Sequence, residues 1–347
     1  MKSIYGITRK KLEDYFINNG DKKFRATQIF EWVYRKNIES FDEITNINKD
    51  SLSKIKEDFY FNSLKIVKKQ EDELVKKYLF ELSDNNKIES VVMYHDYGIS
   101  ICISSQIGCN MGCAFCESGR LKKVRNLTAD EMLLQVLEVQ KDIKERISHV
   151  VIMGIGEPFD NYDNVIDFIN IANDAYALAI GIRHITVSTS GIVPKIEEFA
   201  KECAGVNLAI SLHAPNNEIR NKIMKINKAY NIEELIKAVK NYIKETNRRV
   251  TFEYIMLKDI NDTDECAYEL AKLLKGINCY VNVIPYNETN NIGFKRSESS
   301  QITRFCGILK EENINVTIRK EFGSKVSAAC GQLRSENKEE EVWKHFS

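Results

Sequence analysis

From about residue 8 to residue 60, apolar side chains recur three and four positions apart: Leu12, Tyr15 and Phe16, then Ile29, Phe30, Val33 and Tyr34, then Leu52, Ile55 and Phe59. That spacing draws one face of an α-helix, and Gly20 and the Asn46-Ile47-Asn48 stretch interrupt it. The pattern therefore predicts a small helical domain over residues 1–62. After it the period changes. Residues 64–67, 77–82, 88–93 and 99–103 are short apolar runs of strand type, two of them joined by the turn residues Ser83-Asp84-Asn85-Asn86. They predict a small β extension over residues 63–97, leading into a main domain that starts near residue 98.

Thr128-Ala129-Asp130-Glu131 has the form of a capping box, and Met132, Leu133, Val136 and Leu137 then fall on one helical face. From there strand and helix alternate. Apolar runs at 149–153, 184–187, 206–212, 250–257 and 280–284 are separated by helical patterns, the clearest through Ile232, Leu235, Ile236, Val239 and Ile243. With the run at 99–103 this makes six strands in strand-helix order, which predicts an α/β domain over residues 98–335 built on a parallel sheet. Both the doubly wound and the barrel form satisfy the pattern, and both collect functional residues past the carboxyl ends of the strands. No internal repeat interrupts the order, and the last residues, 336–347, form a charged tail.

Composition adds two constraints. The 347 residues carry 50 basic and 50 acidic side chains, but residues 1–70 hold 15 Lys/Arg against 10 Asp/Glu, so the amino-terminal part is at +5 and the remainder at −5. A mildly basic helical part suits contact with phosphates, and an ordinary solvated surface accounts for the same charge equally well. Nine cysteines, an odd number, without a secretory leader point to a reducing compartment rather than a disulfide framework. No apolar run approaches membrane length, so a cytoplasmic protein with no membrane partner is expected.

The chemistry concentrates after the run at 99–103. Cys109, Cys113 and Cys116 stand in a Cys-x3-Cys-x2-Cys loop whose Gly108, Asn110 and Gly112 favour turns over a packed face. Three thiolates can hold a 4Fe-4S cluster while leaving one iron open to a ligand that is not protein. The alternative is a structural zinc site, which takes four protein ligands in paired units; only the Cys113/Cys116 pair is present here. The strand at 149–153 ends in Gly154-Ile155-Gly156-Glu157-Pro158, the next in Ser188-Thr189-Ser190-Gly191, and the next in Ser211-Leu212-His213-Ala214-Pro215. Each alone reads as a turn, a set of caps or a packed histidine. Cys102 and Cys330 alone read as small buried hydrophobes, and Glu89 as a solvent-facing strand residue.

Taken together, the words Cys102-Ile-Ser-Ser-Gln-Ile-Gly-Cys109, the cysteine triplet and Arg125-Asn126-Leu127-Thr128 resemble the radical SAM methyltransferases that act on adenosine of 23S ribosomal RNA, the RlmN and Cfr family. The resemblance runs from about Phe24 to Leu333 and implies an open, six-unit partial β/α barrel, with Phe24-Arg25-Ala26, Gln28 and Trp32 in an RNA-contacting accessory domain. It implies one 4Fe-4S cluster on Cys109, Cys113 and Cys116, and S-adenosylmethionine, two per turnover, bound by Gly156, Glu157, Ser188, Ser211, Leu212, His213 and Asn287. Carbon 2 of adenine lies between two ring nitrogens and is too electron-poor to attack a methyl sulfonium, so the implied route is radical. Cys330 is methylated, loses a hydrogen to a 5'-deoxyadenosyl radical, and its carbon adds to the base; Glu89 then helps remove the ring proton and Cys102 attacks the Cys330 sulfur.

Implied partners are 23S rRNA, transfer RNA and an electron donor of the flavodoxin or ferredoxin type, with the protein a monomer. Gly156-Glu157-Pro158, Ser188-Thr189-Ser190 and Ala214-Pro215 follow the carbon-2 branch; the alternatives are the carbon-8 resistance methyltransferase and a non-catalytic, zinc-holding RNA-binding protein. Two stretches depart from the family: Lys225 stands where proline is usual, and Ser324-Lys325-Val326-Ser327 replaces an aspartate-rich stretch before Ala328.

Overall fold

The structure is a computed structural model and describes residues 1–288 and 293–319. Helix α1 (Arg9–Asn18) starts where the Thr8 hydroxyl accepts the Lys11 N–H at 3.3 Å, and α3 (Lys49–Asp58) where Asn48 accepts that of Ser51 at 2.8 Å. Between them α2 (Phe24–Phe30) runs on into a π-helical turn, Glu31–Arg35. The side chains at helical spacing, Leu12, Phe16, Ile29, Phe30, Tyr34 and Ile55, are buried as the periodicity requires.

Strands β1 (Lys65–Asp72), β2 (Val75–Glu81), β3 (Lys87–His95) and β4 (Gly98–Ile103) form an antiparallel meander. The turn at 83–86 closes with the Leu82 N–H on the Asn86 carbonyl at 2.8 Å, and Asn85 takes the left-handed conformation that asparagine tolerates. The meander is continuous with the main sheet, because β4 pairs on its other edge, in parallel, with β5 (His149–Ile152).

Strands β6 (Ile185–Thr189), β7 (Asn207–Ser211), β8 (Val250–Met256), β9 (Cys279–Pro285) and β10 (Val316–Ile318) follow in parallel, completing a ten-stranded sheet ordered β10 to β1. Chain order and spatial order coincide throughout. A doubly wound sheet reverses direction at a switch point, and this one does not; it is singly wound, the arrangement of a barrel arc, with β1 and β10 as its two edges. The six expected strands are all present. β10, three residues long, is too short for any pattern to reveal it.

Single winding with right-handed crossovers places the connecting helices on one face of the sheet. These are α4 (Ala129–Ile143), α5 (Tyr162–Asn173), α6 (Val193–Glu202), α7 (Asn217–Ile223), α8 (Ile232–Thr246), α9 (Asp264–Leu274) and α10 (Ser299–Glu311). In α4 the Glu131 carboxylate accepts the Thr128 N–H at 2.9 Å, closing the turn that the sequence announced. Ile101, Ile103, Val150, Val187, Ile210, Phe252 and Val281 point to the helices and share one core with Leu133, Phe168, Phe199, Val239 and Phe305. Alternate strand positions, among them Cys102, Val151, Glu253 and Asn282, occupy the opposite, inner face.

Candidate active site

Past the end of β4, a two-residue antiparallel ladder of Gln106–Ile107 with Arg125–Asn126 pinches off the cysteine loop at its neck. Gly108 sits in that neck at φ +73°, and a Cβ there would lie 2.2 Å from the Lys122 carbonyl oxygen, so only glycine fits. Within the loop the Cys109 N–H meets the Leu121 carbonyl at 3.0 Å, and the Ala114 N–H meets the Ile223 carbonyl at the end of α7 at 2.9 Å. The Lys225 side chain lies over Gly112, where a Cβ would stand 3.2 to 3.5 Å from its outer carbons and ammonium; this departure from the family packs on the cysteine loop itself.

Cys109, Cys113 and Cys116 line one wall of a cavity of about 910 Å³, counted to its open mouth. The facing wall is made of the exits of β5, β6 and β7, through Gly156, Glu157, Ser188, Ser211 and His213. Burial pushes the Cys109 thiol up to about 12, and Cys113 is raised well above its ordinary value by burial and then by Cys116 and Cys109. Thiols so placed stay protonated until a metal centre exchanges for the protons. Three thiols lining one wall supply three protein ligands, the number that a 4Fe-4S cluster with one open iron takes and one fewer than a structural zinc site takes.

Glu157 is buried and its carboxylate is held from three sides: Thr189 Oγ1 at 2.7 Å and the Phe159 N–H at 3.0 Å on one oxygen, the Ser190 N–H at 2.7 Å on the other. Burial raises its carboxyl above the ordinary range against the pull of those donors. His213 is also buried, at φ +56°, a region rare for residues with a side chain. Its Nδ1 accepts the Ile255 N–H at 3.0 Å, which leaves the proton on Nε2, and its ring meets that of Phe115 edge-on at 4.9 Å. Burial, then the charge of Arg220, lowers His213 to about 3, so the imidazole is neutral.

The other expected residues are placed differently. Leu212 is fully buried in the core and does not face the cavity, and its N–H is bonded to the Glu253 carbonyl at 3.1 Å. Asn287 lies two residues beyond β9, half-buried and outside the cavity wall. Glu89 is not solvent-facing: it is buried on β3 and paired with the equally buried Lys77 of β2 at 3.2 Å. Ser90 bonds Gln135 of α4 at 2.8 Å, so Glu89 projects to the inner face. Cys102 shares that face, cross-strand from Val91, packed with Val75, Val91 and Ile155 and against Met93, Val151 and Met153. Cys330 and the stretch 324–327 lie outside the described residues.

Sequence reasoning missed two charged groups at the site. Glu253 is buried on the inner face of β8, lines the cavity and accepts a hydrogen bond from Asn282 at 2.9 Å; its signal was a carboxylate inside the apolar run of β8. Arg220, on α7, is buried completely and had no signal, since a lysine or arginine in a short helix is ordinarily solvated.

Comparison with known proteins agrees with this arrangement. Residues 103–273 match the family model of the radical SAM superfamily, and residues 2–60 that of the ribosomal RNA large subunit methyltransferase N-terminal domain. A protein of Enterococcus faecalis named "Probable dual-specificity RNA methyltransferase RlmN" is 53% identical over 324 residues, covering 90% of each chain. One of the same name from Acholeplasma laidlawii is 52% identical over 312 residues, covering 90% of this chain and 92% of its own. The crystal structure of a radical SAM methyltransferase from Sphaerobacter thermophilus superposes with a TM-score of 0.89 at 39% identity, over 97% of this chain and 100% of that one. The zinc-holding, non-catalytic alternative falls with these matches. This chain belongs to the RlmN family of radical SAM enzymes and is an S-adenosylmethionine-dependent RNA methyltransferase built around a 4Fe-4S cluster.

Proposed function

We propose that the chain methylates carbon 2 of an adenosine in 23S ribosomal RNA, and in transfer RNA, through a methylated cysteine. The observation that carries this reading is the single cavity: the three cysteines and the exits of β5, β6 and β7 open onto the same space. The printed names of the relatives, which speak of dual specificity, support two RNA substrates.

In this reading Cys109, Cys113 and Cys116 hold the cluster, and Gly156, Glu157, Ser188, Ser211, Leu212, His213 and Asn287 serve S-adenosylmethionine. Leu212 and Asn287 act from outside the cavity wall, Leu212 by fixing the backbone between Ser211 and His213. The cluster, when bound, supplies the electron that cleaves S-adenosylmethionine to a carbon radical, and two molecules are used per turnover. Neutral, buried His213 keeps its Nε2 proton as a donor. Cys330 carries the one-carbon unit. Glu89, fixed by Lys77, takes the ring proton, and Cys102, one pleat away on the same face, attacks the Cys330 sulfur; the sulfur–sulfur bond forms as the sulfur–carbon bond breaks, the freed carbon takes up a proton, and the one surplus electron would pass to the oxidised cluster. A flavodoxin or ferredoxin supplies electrons, and the enzyme works as a cytoplasmic monomer.

Mass spectrometry of RNA from cells lacking the gene, with and without complementation, tests the proposal. Loss and return of 2-methyladenosine in 23S and transfer RNA are expected; unchanged 2-methyladenosine, or 8-methyladenosine in its place, overturns it. Cys330→Ala is expected to keep iron, sulfide and cofactor binding while losing methyl transfer altogether.

A further inference from the structure

Arg220 heads the large side chains that are completely buried among the described residues, with 0% of its surface exposed. Each of its three guanidinium nitrogens is bonded. Nε donates to the Leu212 carbonyl at 3.1 Å, Nη1 to Asn227 Oδ1 at 2.9 Å, and Nη2 to the carbonyls of Ser190 at 2.7 Å and Ser211 at 3.2 Å. Every one of these acceptors is neutral, and among the described residues no carboxylate forms an ion pair with it. An isolated buried cation is costly, and hydrogen bonds to neutral groups offset only part of that cost. A fold that keeps one has an anion to match it.

The anion is identified by what surrounds the guanidinium. Ser190 and Ser211, whose carbonyls it holds, line the cavity opposite the cysteines, and the end of its own helix is bonded to the cysteine loop through Ala114 and Ile223. Asn227 is itself held by Asn217 at 3.0 Å and Asn221 at 2.9 Å, so the charge has a fixed position. Gly191, at φ +109°, leaves space beside it: a Cβ there would lie 3.5 Å from Nη2. Three cysteine thiolates on a 4Fe-4S core of charge +2 leave the site with a net negative charge. That charge grows by one when the core accepts an electron, a step in which no bond forms or breaks.

We propose that Arg220 is the fixed counter-charge of the cluster site, a positioning residue that favours the reduced over the oxidised cluster. The inference rests on the assignment of the cluster to Cys109, Cys113 and Cys116. The electron comes from the low-potential donor, and Arg220 makes its acceptance easier because attraction to a fixed cation increases with the negative charge of the site. Its fork of hydrogen bonds holds that cation between the exits of β6 and β7, where water does not screen it.

The test is a potentiometric titration of the full chain, reconstituted anaerobically with iron and sulfide and followed by the electron paramagnetic resonance of the reduced cluster. Arg220→Gln is expected to shift the reduction equilibrium about tenfold toward the oxidised form, which for one electron is about 59 mV more negative. Arg220→Lys keeps the charge and should stay within about twofold of wild type. Asn227→Asp places a carboxylate on the guanidinium, at the cost of the two hydrogen bonds that Asn227 Nδ2 donates to Asn217 and Asn221, and should lower the midpoint in the same direction as Arg220→Gln. If Arg220→Gln does not fold, Asn227→Asp decides. Midpoints that match wild type in Arg220→Gln or, where that variant does not fold, in Asn227→Asp overturn the proposal; so does an equal fall in Arg220→Lys and Arg220→Gln, which would assign the effect to lost hydrogen bonds. A wild-type chain that takes up no iron and sulfide fails the cluster assignment itself, a result distinguishable because it is common to every variant.

Discussion

His213 combines a left-handed backbone, a buried ring and a hydrogen bond that its protonated form is unable to accept at Nδ1. Burial takes its folded value from 6.5 to about 3. Above pH 6.5 both folded and unfolded chains hold a neutral imidazole and the group has no effect on stability. As the pH falls from 6.5 towards 3 the unfolded chain takes up a proton that the folded chain refuses, so stability falls, by at most about 5 kcal/mol at 1.36 kcal/mol per pKa unit. His213→Asn, which tolerates the same backbone, is expected to flatten that acid limb in urea unfolding between pH 7 and 4; parallel curves would sink the assignment. The Lys77–Glu89 pair, with both side chains about 4% exposed, gives a sharper case. Lys77→Met removes the buried cation that faces the Glu89 carboxylate and is expected to cost about 3–5 kcal/mol, most of it recovered in the double variant with Glu89→Gln. If the single and double variants unfold alike, the carboxylate is not paired as described. These residues also mark the limit of the sequence at this scale. The cysteine triplet stood out as a set of candidate ligands because its signal is a local spacing, and Glu89 and His213 stood out as candidates only because whole words around them resemble a family. Lys77, Arg220 and Glu253 were not, because each acquires its meaning from a partner brought to it by another strand or helix, and one of them, Arg220, from a burial that its own helix gives no sign of.

At the level of elements, the strands of the main sheet were readable because the face turned to the helices is apolar at every second position, as at Ile185 and Val187 of β6 and Val250, Phe252 and Tyr254 of β8. Their bounds move by two residues at most, as where the run at 184–187 becomes Ile185–Thr189, since the last residues of a strand are fixed by its neighbours rather than by their own polarity. The union of the β extension with the barrel arc was readable only in part: the run at 99–103 was counted in both, but the parallel pairing of β4 with β5 is a matter of register between segments almost 50 residues apart. What the elements do for function lies in how their ends meet. Gly156, at φ +113° past β5, would place a Cβ 2.6 Å from the Gln106 side chain, and Gln106 in turn accepts the Glu157 N–H at 2.9 Å. Gly156→Ala therefore strains the backbone and pushes the β5 exit away from the neck of the cysteine loop. A loss of about 1–3 kcal/mol in stability is expected from the backbone alone, with at least a tenfold loss of S-adenosylmethionine binding by equilibrium dialysis. Gly276, at φ +77° with open space around it, is the control: Gly276→Ala should show the backbone penalty with unchanged cofactor binding. Equal loss of binding in both would mean that the effect is general instability and not the position of the β5 exit.

Over the whole molecule the amino-terminal helices are seated on the outer helices of the arc. Arg9 pairs with Asp174 at 2.8 Å, Arg35 donates to the Ala175 carbonyl at 2.7 Å, and both guanidinium groups lie 5.3 Å from the Tyr176 ring. Tyr5, Tyr34 and Phe41 belong to the same continuous core as the barrel helices, so removing residues 1–62 would uncover apolar surface and say nothing clean about RNA. Point changes on the exposed side do. Lys22, Lys23 and Phe24 are exposed at the start of α2, the Arg25 guanidinium lies 5.0 Å from the Phe24 ring, and the Lys36 ammonium lies 3.3 Å from that of Trp32. Tyr34, at the same helical spacing, is core, and its hydroxyl is spent on the Tyr5 carbonyl at 3.0 Å. An exposed ring flanked by cations is what a single-stranded nucleic acid stacks on, with the cations meeting its phosphates. If this face carries RNA, each phosphate contact adds about 0.7 to the slope of log affinity against log salt. Lys22→Glu with Lys23→Glu should then lower that slope by about 1.4, and Phe24→Ala should weaken binding about equally at every salt concentration, the slope unchanged. Fluorescence anisotropy with an unstructured adenosine-containing RNA, titrated from low to high salt, separates the two effects, and an unaltered slope in the double lysine variant would move the RNA off this face and leave its basic charge as an ordinary solvated surface.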